Sequence, residues 1–83
     1  MTLTEYQAIP CIQHERLEFA VLKRTPLDLR YTTPRGSETH ARVLALDVYT
    51  HDRAEWLKAR REHGVEILLR LDWISSFSYL SGP

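Results

Sequence analysis

A second cysteine is missing from this 83-residue chain, so Cys11 has no partner for an internal disulfide. That agrees with a reducing compartment and leaves the core without a covalent staple. No apolar run approaches the length of a bilayer crossing, and the opening MTLTEYQ lacks the basic start and apolar middle of a signal peptide. A cytoplasmic protein is therefore expected. Net charge is missing too, since eleven acidic side chains balance eleven basic ones. A chain whose main work is neutralising nucleic-acid phosphates would not be so balanced, and a charged partner must read a local patch. Internal repeats, low-complexity tracts and linkers are absent.

Two further absences bear on chemistry. Cys11-x-x-His14 has the spacing of half a metal site, yet His40, His51 and His63 are scattered and supply no second half. No metal or other cofactor is expected, and Cys11 reads as a small, mostly buried apolar residue. The serines at 75, 76 and 78 lack a nucleophile elbow or a His and Asp at interpretable spacing, so no enzyme is expected.

What the chain does contain is one domain's worth of residues, 43% hydrophobic and 27% charged, as in an ordinary globular protein. At this length about 60–65% of the unfolded chain's surface is buried, so the core is thin. Its spine is GVEILLRLDWISSFSYL, residues 64–80. Val65, Ile67, Leu69, Leu71 and Trp73 alternate with Glu66, Arg70 and Asp72, the period of a half-buried strand. The phase then slips at Ile74, and Asp72, Ser75 and Ser76 are short side chains that bond their own backbone at bends. Two strands with a tight corner are predicted, of the kind that closes a small barrel. At the corner Asp72 accepts backbone hydrogen bonds, and Arg70 pairs with it or with a neighbouring strand.

Ahead of the spine, residues 1–12 read as an extended arm carrying Leu3, Tyr6 and Ile9, with Pro10 blocking a regular helix. Leu17, Ala20 and Val21 then share one helical face, acids stand early and Lys23 and Arg24 late, and Pro26 forbids continuation. A helix over 13–24 follows. Leu27, Leu29 and Tyr31 alternate as a short strand up to the turn Pro34-Arg35-Gly36-Ser37, and 38–49 is long enough to be a strongly bent strand. From Asp52 to Gly64 two readings compete. Local propensity, with Asp52 and Glu55 as a capping box and Gly64 as a stop, favours helix. A strand would place Trp56, Lys58 and Arg60 on one face and Leu57, Ala59 and Arg61 on the other.

Taken together, Tyr6-Gln7-x-Ile9-x-Cys11, His14-Glu15-x-Leu17-Glu18 and Arg70-Leu71-Asp72-x-Ile74-x-Ser76-Phe77 resemble the Rof family, also called YaeO, the Rho-binding antiterminators. The likeness covers nearly the whole chain. It implies an α+β, mainly β fold: an N-terminal helix packed on a small, strongly bent antiparallel barrel similar to the Sm and Hfq proteins, with residues 54–62 as strand. It also implies binding to the N-terminal RNA-binding domain of transcription termination factor Rho. A protein offering carboxylates there competes with RNA phosphates for the same cations, and termination is suppressed.

Matched residue by residue, the acidic surface falls at the start of the helix on Glu15 and Glu18, flanked by His14 and Tyr6, with Gln13 able to hydrogen-bond. Family members tend to carry several aspartates after the cysteine, where this chain has Ile12, Gln13 and His14. Either the contact is less electrostatic, with Ile12 adding an apolar share, or the chain has moved to another partner. A second function of a different class stays open. Sm-like barrels bind RNA, and Trp56, Lys58, Arg60 and Arg61 could take single-stranded RNA directly. Trp73 is assigned to packing, and the cations of that strand would also guard a sheet edge. A monomer is expected.

Overall fold

The computed structural model describes residues 6–80. Leu3 of the expected arm lies outside them, as do residues 81–83, which the sequence reads as a frayed tail. The chain forms α1 (Cys11–Lys23), β1 (Pro26–Thr32), β2 (Glu38–His51), β3 (Ala54–Arg61), β4 (Glu66–Arg70), a single turn of 3-10 helix (Leu71–Trp73) and β5 (Ile74–Tyr79). It is mainly β, with one helix packed on a five-stranded antiparallel sheet ordered β4-β3-β2-β1-β5.

That order forces curvature. Flat, five strands would hold β4 and β5 about 19 Å apart across four spacings of about 4.8 Å. The chain from Arg70 to Ile74 reaches only about 14 Å fully extended, and less as a 3-10 turn. The sheet therefore curls until its two edge strands approach at this corner, although no ladder joins β4 to β5 among the described residues. Part of the bend lies in β2, whose register slips between Ala45 and Asp47, the bulge expected of a strand 14 residues long.

The helix starts two residues earlier than its sequence pattern suggests. Pro10 stands at the N-cap position, where its missing N–H costs nothing, and its carbonyl accepts from the Gln13 and His14 amides at 2.9 and 3.1 Å. Ile12 and Cys11 are thus helical rather than part of the arm, and Cys11 is exposed, not buried. The first turn holds no acid, so the expected match of acids to the helix dipole is absent there, while Lys23 does occupy the last turn. Termination comes before Pro26, at Arg24, whose left-handed φ of 52° lets the Thr25 amide reach the Ala20 carbonyl at 3.0 Å.

Residues 54–61 are strand, against their helix propensity. A two-residue hairpin with Asp52 and Arg53 both at positive φ aligns β2 with β3, the turn geometry that suits the right-handed twist of paired strands. Pairing on both sides then outweighs the roughly 0.5 kcal/mol per residue by which propensity favours helix. Because β3 lies between β2 and β4, its Lys58, Arg60 and Arg61 guard no sheet edge. Gly64, at φ 83°, closes the turn into β4 with its amide on the Arg61 carbonyl at 2.9 Å.

Leu17 and Ala20 of α1 meet Leu27, Leu29, Val43, Leu57, Leu69 and Leu71 in one buried cluster. The spine departs from its alternation at both ends. Val65 is 58% exposed where the pattern turns it inward, and Arg70 is 4% exposed where the pattern turns it out. Trp73 lies in the 3-10 turn rather than in a strand, half-buried against the core.

Candidate functional site

The corner fixes the helix from below. Arg70 donates to Asp72 through Nε at 2.7 Å and Nη2 at 2.6 Å, a bidentate pair, and the two side chains are only 5% and 9% exposed. Its guanidinium also lies 5.6 Å from the Tyr6 ring and 5.7 Å from the Trp73 ring, and Trp73 meets Trp56 edge to face at 5.8 Å. Burial pushes the Asp72 carboxyl up, but the bonds from Arg70 and from the Gln7 amide, with the Arg70 charge, hold it below the ordinary carboxylate range. Asp72 in turn raises Arg70, chiefly through their hydrogen bond.

Two bonds then tie the arm to this corner. The Gln7 amide donates to Asp72 Oδ2 at 3.0 Å, and the Tyr6 hydroxyl donates to Glu55 Oε2 at 3.0 Å. Burial, the Glu55 hydrogen bond and the charges of Glu55 and Asp72 together push the Tyr6 phenol up to about 12. Glu55 continues into the helix, its Oε1 lying 3.3 Å from His14 Nε2, and His14 Nδ1 lies 2.8 Å from Glu18 Oε1. At the other side of α1, the Tyr79 hydroxyl donates to the Arg16 carbonyl at 2.8 Å, and the Arg16 guanidinium covers the rings of Phe77 and Tyr79 at 4.7 and 5.2 Å.

So anchored, α1 turns a mixed face to solvent. Glu15 is exposed and has no ion pair among the described residues, and Glu18 stays 57% exposed with His14 as its partner there. Beside them stand Ile12, Phe19 and Leu22, 60%, 48% and 77% exposed. With Glu15 they follow a three-and-four spacing that keeps all four on one side of a helix. Large apolar groups gathered on an exposed surface are a feature of contact sites.

Of the sequence-predicted residues, Tyr6 and His14 are therefore drawn together through Glu55, with Glu18 joined through His14, while Ile12 and Glu15 share the outward face. Gln13 is set apart, half-buried in the groove between α1 and β5. The alternative set does not form one open surface. Lys58 and Arg60 both reach Glu66, at 3.4 and 3.7 Å, Trp56 donates to the His51 carbonyl and packs on Trp73, and Arg61 points to the other face of β3. Sequence reasoning missed Glu55, which links arm and helix across 49 positions, and it missed Phe19 and Leu22. Their spacing from Ile12 was a usable signal.

No family model and no curated protein matches the chain. Among solved structures, proteasome accessory factor B/C of Arthrobacter aurescens is similar over 92% of this chain, with a TM-score of 0.75 at 21% identity. The chain spans 12% of the length of that protein's chain. At this identity the likeness concerns the fold alone: the helix-on-curled-sheet arrangement also occurs as a small part of a much longer protein.

Proposed function

We propose that this chain is a member of the Rof family that binds the N-terminal RNA-binding domain of Rho through the outward face of α1 and so suppresses Rho-dependent termination. The observation that carries this reading is the pairing of exposed carboxylates, Glu15 with no ion pair among the described residues and Glu18 with His14 as its partner, with exposed apolar groups. Glu15 and Glu18 meet the cations that otherwise take RNA phosphates, and Ile12, Phe19 and Leu22 supply contact area that RNA lacks. RNA is a competitor for the same surface rather than a ligand of this helix. His14 and Tyr6 set the helix against the sheet, and Gln13 lies at the margin. A closed Sm-like or Hfq-like barrel is the finer form of the fold in this reading, supported by the short corner that draws β4 and β5 together. The protein acts as a cytoplasmic monomer, without catalysis or cofactor.

The test is a pull-down with purified Rho, with and without competing single-stranded RNA. The wild-type chain is retained and RNA displaces it, whereas Glu15→Lys with Glu18→Lys abolishes retention while leaving the far-ultraviolet circular dichroism unchanged. Equal retention of the charge-reversed chain would remove the helix as the contact.

A further inference from the structure

We infer that the groove between α1 and β5 is a binding site for a small apolar monoanion, an arylalkanoate of about ten non-hydrogen atoms, whose carboxylate pairs with Arg16. The arm, the helix, the corner and β5 all contribute to this groove. Leu17 and Leu71, both fully buried, form its floor, and Ile9, Ile74 and Phe77 are half-buried walls packed against the core. Phe77 stands opposite buried Leu29 in the β1–β5 register, so its ring belongs to the inner side of the sheet, toward α1.

The cavity measures about 320 Å³, at the lower end of the range for small-molecule sites and room for about ten waters at their share of liquid volume. That bounds the occupant. A nucleotide or a peptide of several residues exceeds it, whereas one ring with a short acid chain fits.

Charge in the groove has one sign. Gln13, Arg16, Ser75 and Ser76 are the polar side chains that line it, and no acidic one does among the described residues. Arg16 is held from two directions: its carbonyl accepts from the Tyr79 hydroxyl at 2.8 Å, and its guanidinium lies over the rings of Phe77 and Tyr79 at 4.7 and 5.2 Å. It makes no ion pair among the described residues, in contrast to Lys58 and Arg60, which share Glu66, and to Arg70, which is sealed onto Asp72. A positioned cation thus borders an apolar hollow with no anion of its own. A carboxylate takes two bonds from a guanidinium fork, and the Gln13 amide and Ser76 hydroxyl offer further donors, while Ser75 already donates to the Arg30 carbonyl at 3.1 Å. The ring joined to that carboxylate covers Leu17, Leu71 and Ile74. A ligand of about ten atoms buries little surface, so Kd is on the order of 1 mM. None of these contacts requires Rho, and the site is occupied or empty in the free chain.

Nuclear magnetic resonance titration of the nitrogen-15-labelled full chain with phenylacetate at neutral pH tests the inference. Saturable shifts are expected at the amides of Gln13, Arg16 and residues 74–77. Phenylacetamide, which keeps the ring and loses the charge, binds at least about fivefold more weakly, and benzylamine, with the opposite charge, does not saturate. Arg16→Gln brings phenylacetate down to the affinity of phenylacetamide and leaves phenylacetamide within about twofold of its wild-type value, as expected when only the charge is recognised there. The comparison of phenylacetate with phenylacetamide on the wild-type chain gives the same reading should Arg16→Gln unfold. Absence of saturable shifts up to about 20 mM, shifts scattered away from the groove, equal affinity for acid and amide, or wild-type phenylacetate binding by a folded Arg16→Gln chain would overturn the site.

Discussion

The corner after β4 and the outer side of α1 place carboxylates under opposite conditions. Asp72 is nearly sealed, takes two bonds from Arg70 and one from the Gln7 amide, and is held in its charged form by them. Glu15 and Glu18 stand in water, one without an ion pair among the described residues and the other against a single imidazole. A buried carboxylate must have partners, because leaving it unpaired costs several kcal/mol. An exposed one needs none, which leaves it available to a second molecule. The same functional group thus organises the fold in one region and stays exposed to water in the other, and the arm through Tyr6 and Glu55 joins the two.

The corner is disrupted most severely at Arg70. Arg70→Met leaves Asp72 charged in a site that shields it from water, and a loss of about 3–5 kcal/mol in urea unfolding is expected. Replacing the pair together, with Asp72→Leu added, recovers part of that loss, since two apolar groups leave no buried charge behind. A single variant within 1 kcal/mol of wild type, as a rough threshold, would show that the corner tolerates an unpaired carboxylate.

A smaller effect is expected at Tyr6. Tyr6→Phe removes the bond to Glu55 and loses about 1 kcal/mol. Its pH dependence is more telling. An ordinary phenol loses its proton near 10, whereas Tyr6 in the folded chain is pushed up to about 12. Between those values the folded state holds a proton that the unfolded state has lost, so stability falls as pH rises through that window. Tyr6→Phe should flatten this slope in urea titrations above pH 10. Asp72 gives the mirror case. Its folded pKa is lowered, so its contribution is present above the ordinary carboxylate value of about 3.9 and is lost as pH falls below it.

The fold was legible wherever burial alternates or a turn has its own chemistry. Leu27, Leu29 and Tyr31, the Pro34–Ser37 turn, the long bent β2 and the corner at Asp72 all follow from the pattern of side chains. Residues 54–61 did not, because helix propensity is local and the pairing that overrides it comes from strands distant in sequence. Arg70 was misplaced for a similar reason: alternation assigns a charge outward, and only the proximity of Asp72 and two aromatic rings makes its burial tolerable. In the candidate site, Glu15, Glu18 and His14 were marked by family likeness. The apolar half went unseen, since attention to the inward face of a helix passes over Phe19 and Leu22.

That apolar half offers the mildest test. Ile12→Ser with Leu22→Ser removes two exposed groups that touch no buried cluster, so thermal unfolding should shift by less than about 0.5 kcal/mol per site. If the proposed function holds, the salt response of Rho binding separates the two halves of the face. A contact made mainly by Glu15 and Glu18 weakens steeply as ionic strength rises, whereas one made by Ile12, Phe19 and Leu22 changes little. The serine variant should therefore bind more weakly than wild type and with a steeper salt dependence, because the share that remains is electrostatic. Unchanged affinity and unchanged salt slope would assign the whole contact to the carboxylates and leave the exposed apolar groups without a part in it.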